Sequence, residues 1–331
     1  MTLKNSIRSV CLILALLCTG CSTRREEAQA LASAGTTAAN TLGSTLQKTR
    51  EDIPRHEESL ILVAALDGGR DPDPKELTNL QQISDALESR IQVLDDLTKA
   101  YASLNKLASY DAGAETKTAL DSLMGSITKY AKAVNGADIP APVQDAIGIA
   151  TKGIMDFVQS QKIKEASIAI RRSLEAIDKI MANEQQYYAT TMKLLTNSHA
   201  DAARSLWNIG LGKPAPIIKQ HLGAYGLDFD DAQLAKFLAA DNKDPAAQKL
   251  RVAVDKIIVL HAKQETDLET AILDKNITAI KSLEAEHLNL ENGKQLDFAA
   301  ISSILATIQQ FADDLAQLRS SKATVKKKTN P

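Results

Sequence analysis

Apolar residues recur at steps of three and four along most of the chain, which is the spacing of one face of an α-helix. The clearest stretch is 75–108, where apolar side chains fall at Leu80, Ile83, Leu87, Ile91, Leu94, Leu97, Tyr101, Leu104 and Ala108. A helix of this length extends about 50 Å at 1.5 Å per residue. So long an apolar stripe requires an equally long apolar partner, either in this chain or in another.

Glycine and proline residues separate further stretches with the same periodicity. We expect helices over 31–50, 57–66, 75–108, 114–134, 143–160, 162–208, 217–222, 231–240, 245–290 and 298–319, the last capped by Asp297. The helices over 143–160 and 162–208 are either separate or merged, and 274–276 is either a turn or a continuation. Asp244 and Pro245 are typical of the cap and the first residue of a helix. Because no stretch alternates as a strand does, the pattern predicts an all-α fold, an elongated antiparallel helical bundle with long coiled-coil-like helices.

A heptad-like seam runs through the longest predicted helix. Its apolar members are Ile170, Leu174, Ile177, Met181, Tyr188 and Leu195. Glu184 and Thr191 occupy the remaining positions of the seam. Polar residues at such positions usually face solvent, pair with a partner or set the register between helices.

The first residues form a separate segment, Met1 to Thr23. Lys4 and Arg8 precede an apolar run from Val10 to Leu17, which is too short to span about 30 Å of hydrocarbon. The run ends in Leu17-Cys18-Thr19-Gly20-Cys21, which resembles the lipobox of bacterial lipoproteins, with Cys18 where leucine is usual. The resemblance implies removal of residues 1–20 and lipidation of Cys21; an ordinary signal peptide would instead leave Cys21 as a free thiol.

Position 22 bears on the destination of such a lipoprotein. Ser22 stands where an inner-membrane retention signal usually has aspartate. By resemblance to enterobacterial sorting, we expect the outer membrane as the location, with the protein facing the periplasm.

The numbers of cysteines and of charged residues limit the kinds of site and partner that the mature chain can have. All three cysteines, Cys11, Cys18 and Cys21, lie in the leader, which excludes disulfides, thiolate metal sites and cysteine nucleophiles from the remaining 310 residues. Loss of residues 1–20 removes Lys4 and Arg8 but no acidic residue, leaving 37 basic against 41 acidic side chains, a formal charge of −4. This balance gives no indication of a nucleic-acid partner.

The pattern also suggests how the mature chain is divided. We expect a lipidated tether over 21–30, a long-helix bundle over 31–209, and C-terminal helices over 210–319 that pack on the bundle or belong to the same domain. Residues 320–331 are polar, include Lys326 to Lys328, and are expected to be disordered.

Two histidine–glutamate pairs are the candidate metal ligands. His261 precedes Glu265 and His287 precedes Glu291 by four positions, which places each pair on one helical face, and Glu284 lies three residues before His287. The competing interpretation is that these are ordinary surface pairs, which stabilise a helix by a few tenths of a kcal/mol.

Aromatic residues around a glycine- and proline-rich break are the candidate partner-binding residues. Trp207 precedes the segment 210–216, and Tyr225 and Phe229 follow it. Loops on rigid scaffolds often carry function, although these rings would also serve to pack the loop onto the bundle.

No nucleophile elbow, zinc-protease motif or phosphate-binding loop is present. We therefore predict a non-enzymatic envelope lipoprotein without a cofactor, a helical scaffold or adaptor that binds an envelope protein or itself. The alternative is a periplasmic helical bundle that binds a metal or small ligand, with or without hydrolytic activity.

Overall fold

The computed structural model describes residues 3–66, 71–110, 112–135, 159–208, 231–239 and 243–321. Over these ranges the regular elements are all helices: α1 Leu3–Glu51, α2 Ile53–Leu66, α3 Pro74–Ser109, α4 Gly113–Asn135, α5 Gln159–Asn208, α6 Asp231–Phe237, α7 Pro245–Glu291 and α8 Ala299–Ser321. The predicted all-α class is confirmed. The elongated, coiled-coil-like arrangement stays a prediction.

Helix starts follow the expected capping chemistry. The Oδ1 atom of Asp244 accepts the Ala246 amide at 2.8 Å, and Pro245 is the first residue of α7. The Oδ1 atom of Asp297 accepts the Ala299 amide at 2.9 Å at the start of α8. Each carboxylate satisfies an amide that has no partner within its helix.

The observed bounds of α7 and α1 bear on two of these expectations. The helix α7 continues through 274–276 without a turn and ends at Glu291, before Gly293 with its φ of 65°. The helix α1 includes the whole of 21–30, the stretch expected to be a tether, and Ala28 in it is buried. The burial of Ala28 shows that the apolar face of α1 begins about one turn before Leu31, which is consistent with a helix that starts earlier.

Several expected features lie outside the described residues. These are the helices over 143–160 and 217–222, apart from Gln159 and Ser160 at the start of α5, and the tail from 322 onward. The separation of α1 from α2 is described: it falls at Asp52, and Pro54 occupies the first turn of α2.

Contacts between residues divide the chain into two compact units, and each is assembled from three separated stretches. Unit 1 comprises 1–48, 85–184 and 274–309, and unit 2 comprises 49–84, 185–273 and 310–331. The boundaries fall inside helices, so the units do not coincide with the consecutive blocks 31–209 and 210–319.

The core of unit 1 is formed by leucine, isoleucine and alanine side chains from α1, α3, α4, α5, α7 and α8. A close helix contact lies between Gly35 of α1 and Tyr101 of α3. A Cβ atom at Gly35 would lie 2.2 Å from Cζ of the tyrosine ring. Only glycine lets these two helices approach so closely.

One charged pair is buried within unit 1. Arg90 of α3 donates from Nη2 to Oε2 of Glu184 on α5, and Tyr130 of α4 donates its hydroxyl to the same oxygen at 2.5 Å. The polar seam position Glu184 is therefore a buried, paired carboxylate that links three helices.

Unit 2 contains its own apolar cluster. Trp207, Leu238 and Val254 form the buried centre, and Leu234, Phe237, Leu250 and Ile258 pack against it. Among the described residues, no helix is both long enough and apolar enough to cross a membrane.

Candidate functional site

The candidate site is a groove in unit 2 formed by α2, by the start of α3 with the residues that precede it, and by α5. Its volume is about 440 Å³. Apolar lining comes from Leu60, Val63, Ala64, Pro72, Leu80, Leu194 and Leu195, and polar lining from Asp73, Glu76, Asn79, Thr191, Asn197, Ser198 and Asp201. We call this surface the acid-rimmed groove.

The sequence of α2 explains why the groove has an apolar wall. Residues 59–66, Ser-Leu-Ile-Leu-Val-Ala-Ala-Leu, are apolar around nearly the whole helix, and such helices are normally buried on every side. Here Ile53, His56 and Ser59 are buried in unit 2, whereas Ile61, Leu62 and Leu66 are exposed. Exposed apolar surface next to a groove is typical of an interaction site.

The rim carries negative charge. Asp73, Glu76 and Asp201 contribute carboxylates, and the described lining includes no basic side chain. Asp73 also caps α3 by accepting the Lys75 amide at 2.9 Å, and Asp201 lies 3.3 Å from Nη1 of Arg204. The pairing with Arg204 reduces the charge of Asp201 and leaves Asp73 and Glu76 as the stronger source of negative potential.

A buried histidine lies on the core side of α2. The ring centroids of His56 and His199 are 6.2 Å apart in an edge-to-face arrangement. Burial lowers the pKa of His56 to about 4, with smaller contributions in the same direction from His199 and Arg319, and Glu265 opposes them. The imidazole of His56 is therefore neutral at physiological pH.

Ser59 and His199 resemble a nucleophile and its base, but the hydrogen bonds argue against this role. The Ser59 hydroxyl donates to the Arg55 carbonyl at 2.9 Å, and its oxygen also lies 3.0 Å from Nδ1 of His199. A hydroxyl has one proton, so His199 acts as donor to Ser59 whenever that proton is directed at the carbonyl. A serine nucleophile requires the opposite direction.

In the first candidate metal pair, His261 and Glu265, the glutamate is bound by an arginine. Glu265 is buried and accepts from Nε of Arg319 at 2.8 Å. The same guanidinium pairs with Asp52, and with Glu269 at 2.8 Å. His261 is only half-buried. The three carboxylates thus surround the Arg319 guanidinium, which supplies the positive charge that a metal ion would bring.

Burial and the arginine have opposite effects on these carboxyl groups. Burial raises the pKa of Asp52 and of Glu269, and Arg319 lowers both. Burial disfavours the Arg319 cation, but Glu269, Glu265 and Asp52 together raise its pKa. Thr49 and Tyr188 donate further hydrogen bonds to Glu269, at 3.1 and 3.2 Å.

The second candidate metal pair has other partners in unit 1. Nδ1 of His287 lies 2.8 Å from the Ser167 hydroxyl, and Nε2 lies 3.1 Å from the Tyr101 hydroxyl. Burial lowers the pKa of His287 to about 3, and Arg171 adds to the effect. Both ring nitrogens are engaged, so the histidine is a buried link between three helices.

The remaining predicted ligands do not complete a cluster. Glu291 accepts from Nε of Arg171 at 2.8 Å. Burial raises the pKa of Glu284, and the neighbouring Glu175 and Asp178 raise it further. The two histidines are 26 positions apart along α7. Across the described residues, no group of three or more potential ligands is arranged to hold a metal ion.

Of the predicted partner-binding aromatics, only Trp207 is described. It is buried in the apolar cluster of unit 2, and the guanidinium of Arg251 lies 5.7 Å from its ring centroid. Packing onto the helices therefore accounts for Trp207. Tyr225 and Phe229 lie outside the described residues, and the side chain of Cys21 also lies outside them.

The sequence pattern alone does not indicate that these residues form a groove. One signal was present, because residues 60–66 are apolar on every face while only one face of a short helix is needed for the core. The contribution of Leu194 and Asp201 required the packing of α5 beside α2, which periodicity alone does not specify.

Comparison with other proteins adds no functional assignment: no family model, no curated protein and no solved structure matches this chain.

Proposed function

We propose that the protein is a lipid-anchored, non-enzymatic adaptor of the bacterial cell envelope, held at the outer membrane through Cys21, that binds a protein partner in the acid-rimmed groove. The main observation in support of this proposal is that Ile61, Leu62 and Leu194 are exposed around a groove whose rim is acidic. A matching partner segment presents apolar side chains together with lysine or arginine.

Physical arguments support a protein partner over a small molecule. Helices commonly bind by laying apolar side chains into a groove between two other helices. The apolar surface continues from the groove onto the outer face of α2, at Ile61, Leu62 and Leu66, beyond the reach of a ligand enclosed in the groove. Acidic groups on a rim accelerate association with a basic partner and add specificity.

Photo-crosslinking in cells tests the groove. A photoreactive phenylalanine derivative at Leu194 should form a covalent adduct with a protein. The matched control is the same derivative at Leu288, since these side chains are similarly exposed, at 50% and 47%. Absence of an adduct at Leu194, or an equal yield at Leu288, would contradict docking in the groove.

The anchor has a separate test. We expect labelled palmitate to be incorporated into the native chain and lost in Cys21→Ser, which should also leave the outer-membrane fraction. Unlabelled native protein would refute the lipidation proposal without affecting the groove.

A further inference from the structure

A second unusual surface lies in unit 2, on α7. Val252, Val259 and Leu260 are exposed at 54%, 48% and 51%, although large apolar side chains are usually covered. Lys249, Lys256 and Lys263 occur on the same stretch at intervals of seven residues, and all three are exposed. We call these six residues the lysine face.

Helix geometry places the six side chains on one side of α7. With 3.6 residues per turn, they fall within a sector of about 100°. Residues on the opposite side, among them Val254 and Ala262, are buried. The Lys263 ammonium lies 2.5 Å from Asp267, and both side chains are largely exposed, so this pair contributes little and can exchange partners.

The lysine face and the acid-rimmed groove are complementary. The groove offers leucine and valine side chains together with the carboxylates of Asp73, Glu76 and Asp201, whereas the lysine face offers valine and leucine together with three ammonium groups. Within one chain both surfaces remain open, because Leu194 and Val259 are each about half exposed. Neither surface is covered by the described residues of the chain that carries it.

We infer that the lysine face of one copy docks into the acid-rimmed groove of a second copy of this chain. The partner of the proposed adaptor site is then the protein itself. This inference rests on the proposed function of the groove. The contact is head-to-tail, since the two interacting surfaces differ. Apolar burial provides attraction, and the lysine–carboxylate pairs set orientation and make association sensitive to salt.

The first test maps the crosslink between copies. Full-length protein is prepared unlabelled and ¹⁵N-labelled, each with the photoreactive phenylalanine at Leu194, and equal amounts are mixed in detergent. We expect adducts between Leu194 and the 249–263 segment that join light and heavy peptides. The same derivative at Leu288 serves as the control.

The outcomes separate this inference from the proposed function. Mixed-isotope adducts on 249–263 support self-association. An adduct with a different protein in cells, without any adduct between copies, overturns self-association but leaves the adaptor function intact. If Leu194 forms no adduct in either setting, both proposals are wrong.

A complementation test checks the head-to-tail geometry. We expect the face variant Lys256→Glu/Val259→Glu and the groove variant Glu76→Lys/Leu194→Arg each to sediment as monomers, and their mixture to form a 1:1 dimer. The control Lys129→Glu/Leu288→Glu changes exposed residues of unit 1 and should associate as the native chain does. Circular dichroism verifies folding. Monomeric native protein, or a mixture that fails to dimerise, overturns the inference.

Discussion

Arg90 and Glu184 form an ion pair in the interior of unit 1, where their side chains are 1% and 3% exposed. A buried ion pair stabilises a fold little more than apolar residues of similar volume would. Removal of one member is nevertheless costly, because it leaves the other charge buried without a partner. We expect Glu184→Gln to lower the free energy of unfolding by about 3–5 kcal/mol. Urea denaturation of the full chain measures the change.

The double variant Arg90→Met/Glu184→Leu should be more stable than Glu184→Gln, because no buried charge remains. Asp121→Asn, which breaks an exposed pair with Lys117, is the control and should cost less than about 1 kcal/mol. Equal losses for Glu184→Gln and Asp121→Asn would show that burial of the first pair has no energetic effect.

Gly35→Ala should destabilise unit 1, because the new Cβ meets the Tyr101 ring at 2.2 Å. We expect a loss of about 1–3 kcal/mol from overpacking. Gly125→Ala is a matched control in α4, since a Cβ atom added there meets no described neighbour within 4 Å. It should gain up to about 1 kcal/mol from helix propensity. A stabilised Gly35→Ala variant would refute the close helix contact.

His287 should make stability depend on pH. Its pKa is lowered from 6.5 to about 3 in the folded chain, so the unfolded chain binds more protons between these values. Stability from this group is complete above pH 6.5 and decreases as pH falls, by at most about 1.4 kcal/mol per pH unit. His287→Gln should be less stable at pH 7 but show a shallower decline between pH 6.5 and 4.5. An unchanged slope in denaturation curves would argue against burial of a neutral imidazole.

Arg319→Met should destabilise unit 2 by about 3–5 kcal/mol at pH 7, because Glu265 and Glu269 remain buried without their cation. Acid should reduce the defect, since loss of the cation raises the carboxyl pKa values and the folded chain then binds more protons than the unfolded chain as pH falls. Denaturation at pH 7 and pH 5 compares the two conditions. Arg319→Lys, which keeps the charge, should lose less; an equal loss at both pH values would contradict the explanation.

The helices could be predicted from the sequence because periodicity and capping act locally. Asp244, Pro245 and Gly293 mark the ends of α7 as expected. The orientation of individual polar residues could not be predicted. The spacing places Ile91 in the apolar stripe of α3, but its neighbour Arg90 is the fully buried residue. Its burial depends on Glu184, which is distant in sequence and comes close only through tertiary packing.

The sequence shows which titratable residues share a helical face, but it does not show which side chains they contact. His287 and Glu265 are buried, so they are not the surface pairs of the competing interpretation, and Tyr101 and Arg319 are their partners. A pair at helical spacing specifies a common face and leaves open what lies opposite. The groove depended on the same missing information, because Leu60 of α2 and Leu194 of α5 form one surface only after the helices have packed.

The acid-rimmed groove and the lysine face are chemically different surfaces of the same chain. Any row of copies joined through them would therefore have polarity, with an empty groove at one end and an unused lysine face at the other. A molecule that recognises one of these termini could stop growth there without affecting the opposite end. Length control would then require a single capping partner, acidic or basic according to the terminus that it covers.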